Sequence, residues 1–222
     1  MKKILIAASM LSLIVASCND SGTKKEEAAT SDSSANKSAT PATEAPTASA
    51  PLDSATMMKN WMAYSTPGDM HKLLQSWDGT WTGEITSWMT PGAPPQVSTG
   101  KAVNKMILGG RYQESIHTSD MMGMPFEGRS VMGYDNAKKK FVSTWVDNMG
   151  TGVMTMEGTW DEGSKTLTTT GKCIDPAAGN AKEMDIRQVL KVVDDKNHVF
   201  EMYGPGPDGK EFKMMEIKMT RK

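Results

Sequence analysis

Residues 128–147 read GRSVMGYDNAKKKFVSTWVD. Two β-prone arms, 128–134 and 141–147, flank Asp135-Asn136-Ala137-Lys138, a run whose short polar side chains favour a tight turn. This strand–turn–strand unit repeats in both directions. Upstream lie β-rich stretches at 81–88, 97–108 and 111–118; downstream they lie at 152–160, 167–173, 186–193, 198–203 and 212–220. Gly109-Gly110, Asp161-Glu162-Gly163-Ser164, Asp194-Asp195-Lys196-Asn197 and Pro205-Gly206-Pro207-Asp208-Gly209 punctuate them. About ten strands at short, even spacing predict a mainly β fold, an antiparallel up-and-down β-barrel. Closure of the sheet also removes its adhesive edges.

A short N-terminal helix precedes the strands. Thr66 fits an N-cap, Pro67 the first helical position and Asp69 the third. Met70, Leu73, Leu74 and Trp77 recur at helical spacing, and Gly79 stops the run. Residues 55–64 read as a weaker helical turn before it.

The N-terminus is a different polymer. Lys2 and Lys3 are followed by a mostly apolar run over 4–16, then Ser17 and Cys18. This is the layout of a secretory signal, and it is too short to span a bilayer, which takes roughly 20 apolar residues. Val15-Ala16-Ser17-Cys18 resembles the lipobox of bacterial lipoproteins. That resemblance implies cleavage of a signal peptide at 1–17 and lipidation of Cys18, making the lipid bilayer a partner. Asn19 after the cysteine favours the outer membrane by the enteric sorting rule, so a cell-envelope location is expected, facing the periplasm or the surface. Lys24-Lys25-Glu26-Glu27 fits either a surface-export tag or a solvated charge run. Residues 18–51 are rich in Ser, Thr, Ala, Glu, Lys and Pro and carry no aromatic side chain, so they read as a lipidated, disordered tether. Residues 52–222 remain, enough for one domain with a real core. With Cys18 lipidated, Cys173 has no disulfide partner within the chain, since the sequence holds 2 cysteines.

The net charge of −1 and the absence of a basic stripe with interleaved aromatics argue against nucleic-acid binding. The sequence carries no G-x-S-x-G elbow and no P-loop, so catalysis is not expected, nor is a cofactor. What stands out is 20 methionines and 6 tryptophans. Strand residues Trp81, Trp145, Trp160, Met154 and Met156 would line an apolar cavity in a barrel wide enough to hold one small ligand. Arg111, turned inward with Glu84, would anchor a polar head. Binding of a small apolar or amphipathic molecule is therefore the leading expectation. A second is a soft metal site: Met121, Met122 and Met124 follow His117 closely, and thioethers select Cu(I). No histidine pair has a metal-binding spacing, and His71 is expected to be solvated, off the helix's apolar face. A third is a structural or interaction lipoprotein whose barrel is filled.

LLQSWDGTWTGE, ending at Glu84, resembles the opening of the bacterial DUF1579 family, a domain of unknown function. Leu108-Gly109-Gly110-Arg111-Tyr112, the stretch 133–145, Glu157-Gly158 and the closing run 207–212 carry the same resemblance across nearly the whole domain. It implies a calycin-like, lipocalin-like barrel and no particular activity. More distantly, the G-x-W-x-G-E of the first strand resembles nitrobindin-type barrels. Those bind haem through a late-strand histidine, and His198 lies in a loosely comparable region.

Overall fold

The computed structural model describes residues 52–222 except Met122. The signal peptide, Cys18 and the tether expected at 1–51 lie outside the described residues. The strands are β1 (Gly79–Ser87), β2 (Gln96–Ile107), β3 (Tyr112–Met121), β4 (Met124–Asp135) and β5 (Lys140–Asp147), then β6 (Met154–Asp161), β7 (Thr166–Ile174), β8 (Glu183–Val192), β9 (Asn197–Pro205) and β10 (Glu211–Arg221). Each pairs antiparallel with its neighbour in sequence, and β1 closes on β10. The expected up-and-down barrel of ten strands is the fold.

Alternation decides which residues face inward, because successive strand side chains point to opposite faces. Trp81, Phe141, Leu167, Ile186 and His198 are buried inner-face residues. Register then carries that face round the sheet: Trp81 opposes Ala102, Ala102 opposes His117, and His117 opposes Gly128. Large inner side chains need space from their neighbours. A Cβ on Gly128 would lie 2.3 Å from the Trp145 ring, and one on Gly158 would lie 1.9 Å from the Thr168 carbonyl oxygen.

Two helices precede the barrel. α1 (Ser54–Ser65) is a full helix of 12 residues, where the sequence suggested only a turn. The Asp53 carboxylate caps it by accepting from the Thr56 N–H at 3.0 Å. At its other end Thr66 donates its N–H and its hydroxyl to the Met62 carbonyl, at 3.1 and 2.7 Å. Thr66 therefore closes α1 instead of opening the next helix. α2 (Asp69–Ser76) starts two residues later than expected, with Gly68 as its N-cap.

α2 plugs one end of the barrel. Leu74 and Trp77 pack with Phe141 and Leu167, and Met106, Trp160 and Leu190 lie against them. The last carbonyls of a helix lack partners within it and must find them elsewhere. Here the barrel supplies them. Gln113 reaches the Leu74 carbonyl, Trp81 and Asn104 reach that of Trp77, and Arg221 reaches those of Ser76 and Asp78.

His71 corrects an expectation. It is 6% exposed, not solvated. Its Nδ1 accepts the Gly68 N–H at 3.0 Å, and its ring stands edge-on to Tyr134. Burial, with Arg111's charge, pushes its pKa below the usual imidazole value against a hydrogen bond at the Tyr134 backbone.

Candidate functional site

The two ends of the barrel differ. At the α2 end, Trp81, Phe141, Leu167 and His198 are almost fully buried. At the distal end, away from α2, the inward-facing Ile85, Phe126, Trp145, Met154, Met202 and Met214 remain half-buried. Methionine dominates this half. Met121 faces Met124 across the β3–β4 turn, Met154 follows Trp145 in register, and Met202 opposes Met215. A register shift between Lys213 and Met215 marks a β-bulge, and the Met214 sulphur would lie 2.5 Å from a Cβ on Gly204, across on β9.

Trp145 organises this lining. Its Nε1–H donates to the Asp147 carboxylate at 2.7 Å, which fixes the ring. His117 packs edge-on against it with ring centroids 5.2 Å apart, and Phe126 stacks on it at 6.4 Å. Burial pushes the His117 pKa down to about 4, so the imidazole is neutral at physiological pH. An aromatic wall, a neutral imidazole and flexible thioethers suit an apolar guest, because methionine refills irregular space at low cost.

At the distal rim, the β1–β2 loop and the start of β10 enclose a concavity of about 300 Å³ lined by Trp88, Pro91, Phe212 and Lys213. The Lys213 ammonium lies 5.7 Å from the Trp88 ring centroid, between the carboxylates of Glu201 and Glu216. Its pKa is raised above the usual lysine value, first by the hydrogen bond to Glu216 and then by that to Glu201. Sequence reasoning missed this rim. The one local signal was the adjacent Met214-Met215, which breaks strict alternation where β10 bulges. A second groove on the outer wall is lined by Lys172, Arg187 and Glu211. Its charges are already matched, with Arg187 bonded to Glu211 at 2.6 Å and Lys172 to Glu183 at 3.3 Å.

The residues expected to line a cavity are divided by the structure. Trp145, Met154 and Met156 belong to the distal half, although Met156 is buried. Trp81 and Trp160 belong to the filled end. Trp81 is 1% exposed between His198 and the Arg221 guanidinium, and Trp160 packs on Trp77 while donating to Glu162. Arg111 is not turned inward with Glu84. It is exposed in the β2–β3 turn and donates to the Leu108 carbonyl, and Glu84 is exposed as well.

His117 and His198 do not share a site. His117 stands mid-strand beside Trp145, whereas His198 begins β9 against Trp77 and Trp81. Burial, then the charge of Arg221, lowers the His198 pKa to about 4, while Asp194 and Asp195 oppose the shift. Met122 is outside the described residues. No group of three or more His, Cys, Asp or Glu placed to hold a metal occurs among the described residues. Cys173 is a free, half-buried thiol whose pKa burial and the charge of Asp175 raise.

Residues 66–221 match the family described as a protein of unknown function (DUF1579). The chain belongs to the DUF1579 family. Both the barrel and its α2 plug fall within the matched span, whereas α1 precedes it. Among solved structures, this DUF1579 chain is similar to Rv2717c from M. tuberculosis, with a TM-score of 0.54 and 11% identity over 71% of this chain and 99% of that one. That likeness shows a shared fold. A redesigned β-barrel, b11L5F_LGL, aligns with a TM-score of 0.36 and 15% identity over 70% of this chain and 99% of that one. No curated protein matches the sequence.

Proposed function

We propose that this DUF1579 barrel binds a small apolar or amphipathic molecule in its distal half, and that Cys18 anchors it to a membrane of the cell envelope. The observation that carries the binding reading is the unequal filling of one barrel. The α2 end is packed to near-zero exposure, while the distal inner face is half-buried and rich in methionine. Ligand sites are mostly apolar with a few polar groups that fix orientation. Here Trp145, Phe126 and Met154 supply the apolar wall, and neutral His117 supplies a polar handle.

Native mass spectrometry of the protein purified from its own compartment tests this. A co-purified mass of a few hundred daltons that leaves on denaturation supports the reading. A chain that arrives empty, and whose Trp145 emission does not change on titration with a fatty acid or 1-anilinonaphthalene-8-sulfonate, overturns it. A mass gain of one copper would instead favour Cu(I), for which thioethers and a neutral imidazole are suitable ligands.

A further inference from the structure

α1 is a helix without a partner. None of its 12 residues is buried. Met57, Met58, Trp61, Met62 and Tyr64 are 51%, 59%, 66%, 62% and 53% exposed. At 100° per residue these five fall within about half of the helix circumference, so they form one apolar face. Ala55, Lys59, Asn60 and Ala63 occupy the other side. Among the described residues, the hydrogen bonds from the barrel to α1 fall at its C-terminal end. The Asn136 side-chain amide, in the β4–β5 turn, donates to the carbonyls of Ala63, Tyr64 and Thr66 at 3.3, 3.0 and 2.9 Å.

We propose that the apolar face of α1 rests in the interfacial layer of a lipid bilayer. Two observations select this occupant. The first is position: α1 is the first described element after residues 19–51, which separate it from Cys18. A flexible chain of that length has an end-to-end distance of roughly 30 Å. If Cys18 is lipidated, as the Proposed function holds, α1 is confined within a few nanometres of the membrane at high effective concentration. The second is chemistry. Trp and Tyr favour the headgroup boundary, and the helix carries a single charged side chain, Lys59. Apolar insertion, not attraction to anionic lipid, therefore drives the contact. α1 projects from the α2 end, so this contact turns the filled end toward the bilayer and the rim with Trp88 and Phe212 away from it.

The test supplies the anchor chemically, so that its failure is separable from failure of the lipidation reading. The chain from residue 18 onward, carrying Cys173→Ser, is coupled through Cys18 to a maleimide lipid in phosphatidylcholine vesicles. Brominated phosphatidylcholine should quench part of the tryptophan emission. The Trp61→Phe variant should lose most of that quenching, and Met58→Ser with Met62→Ser should reduce it several-fold. Added anionic lipid or salt should change it little. These substitutions fall on exposed positions, so unchanged thermal unfolding confirms the fold. Absence of quenching, or quenching equal in Trp61→Phe, overturns the proposal. So does cross-linking between copies that rises with surface density and vanishes in Trp61→Phe, which would assign the face to a second copy of this chain.

Discussion

Gln113 on β3 donates to the Leu74 carbonyl of α2 at 2.7 Å and, from the same nitrogen, to the Asp78 carboxylate at 2.8 Å. One buried amide thus ties the end of the plug to the barrel wall and to the lead into β1. Asp78 also accepts the Met106 N–H at 3.0 Å, so three elements meet at these two side chains. Gln113→Leu leaves a buried carbonyl and part of a carboxylate unpaired. A loss of about 2–3 kcal/mol is expected, since unsatisfied buried polar groups carry their full desolvation cost. For a domain of this size that is a fall in Tm of roughly 5–10 °C, measurable by differential scanning calorimetry.

Gly128 gives Trp145 its place. Because a Cβ there would lie 2.3 Å from the ring, Gly128→Val must move the indole and break its hydrogen bond to Asp147. The expected results are a red-shifted tryptophan emission and a roughly tenfold loss of affinity for a hydrophobic probe, about 1.4 kcal/mol. Unchanged probe affinity would separate Trp145 from the binding face.

His198 should make the protein acid-sensitive. Its folded pKa, about 4, lies below the usual imidazole value of 6.5 because burial and Arg221 disfavour the charged ring. Between those values the unfolded chain binds a proton that the folded chain does not. The stabilisation is therefore complete above about pH 6.5 and is lost as pH falls toward 4, by about 3 kcal/mol. His117, lowered by burial, and His71 add losses of the same sign. Urea unfolding from pH 7 to pH 4 should show this slope, and His198→Phe should reduce it by about one proton.

Much of this architecture was legible locally. Strand bounds agree with the sequence reading to within a few residues, because alternation and turn-forming residues are written into short windows. Alternation alone puts Gln113, Ser115 and His117 on one side of β3, but only the closed register shows that side to face inward. What failed depended on distant partners. Thr66 looks like an N-cap until the Met62 carbonyl claims its hydroxyl. His71 looks solvated until Tyr134, far along the chain, covers it. Trp81 and Trp145 are equivalent as strand tryptophans. Only the closed register shows that the first sits under α2 and the second in the methionine-lined half.

Asn136 is the tie to α1. Its replacement by Ala removes the three hydrogen bonds that hold the C-terminal turn. Barrel stability should change by about 1 kcal/mol or less, since these are exposed neutral contacts. Limited proteolysis read by mass spectrometry should cut between residues 52 and 66 markedly faster. Equal cleavage rates would show that α1 is retained by something other than this amide.

The strand number is even, and the Lys222 N–H donates to the Thr80 carbonyl at 2.9 Å, so the chain leaves the barrel beside the point where it entered. All distal connections are therefore hairpin loops with no terminus among them. They can lengthen, shorten or accept inserted peptides without altering the route by which the domain joins the rest of the polypeptide. A family built on this plan can vary its distal loops while leaving its attachment untouched.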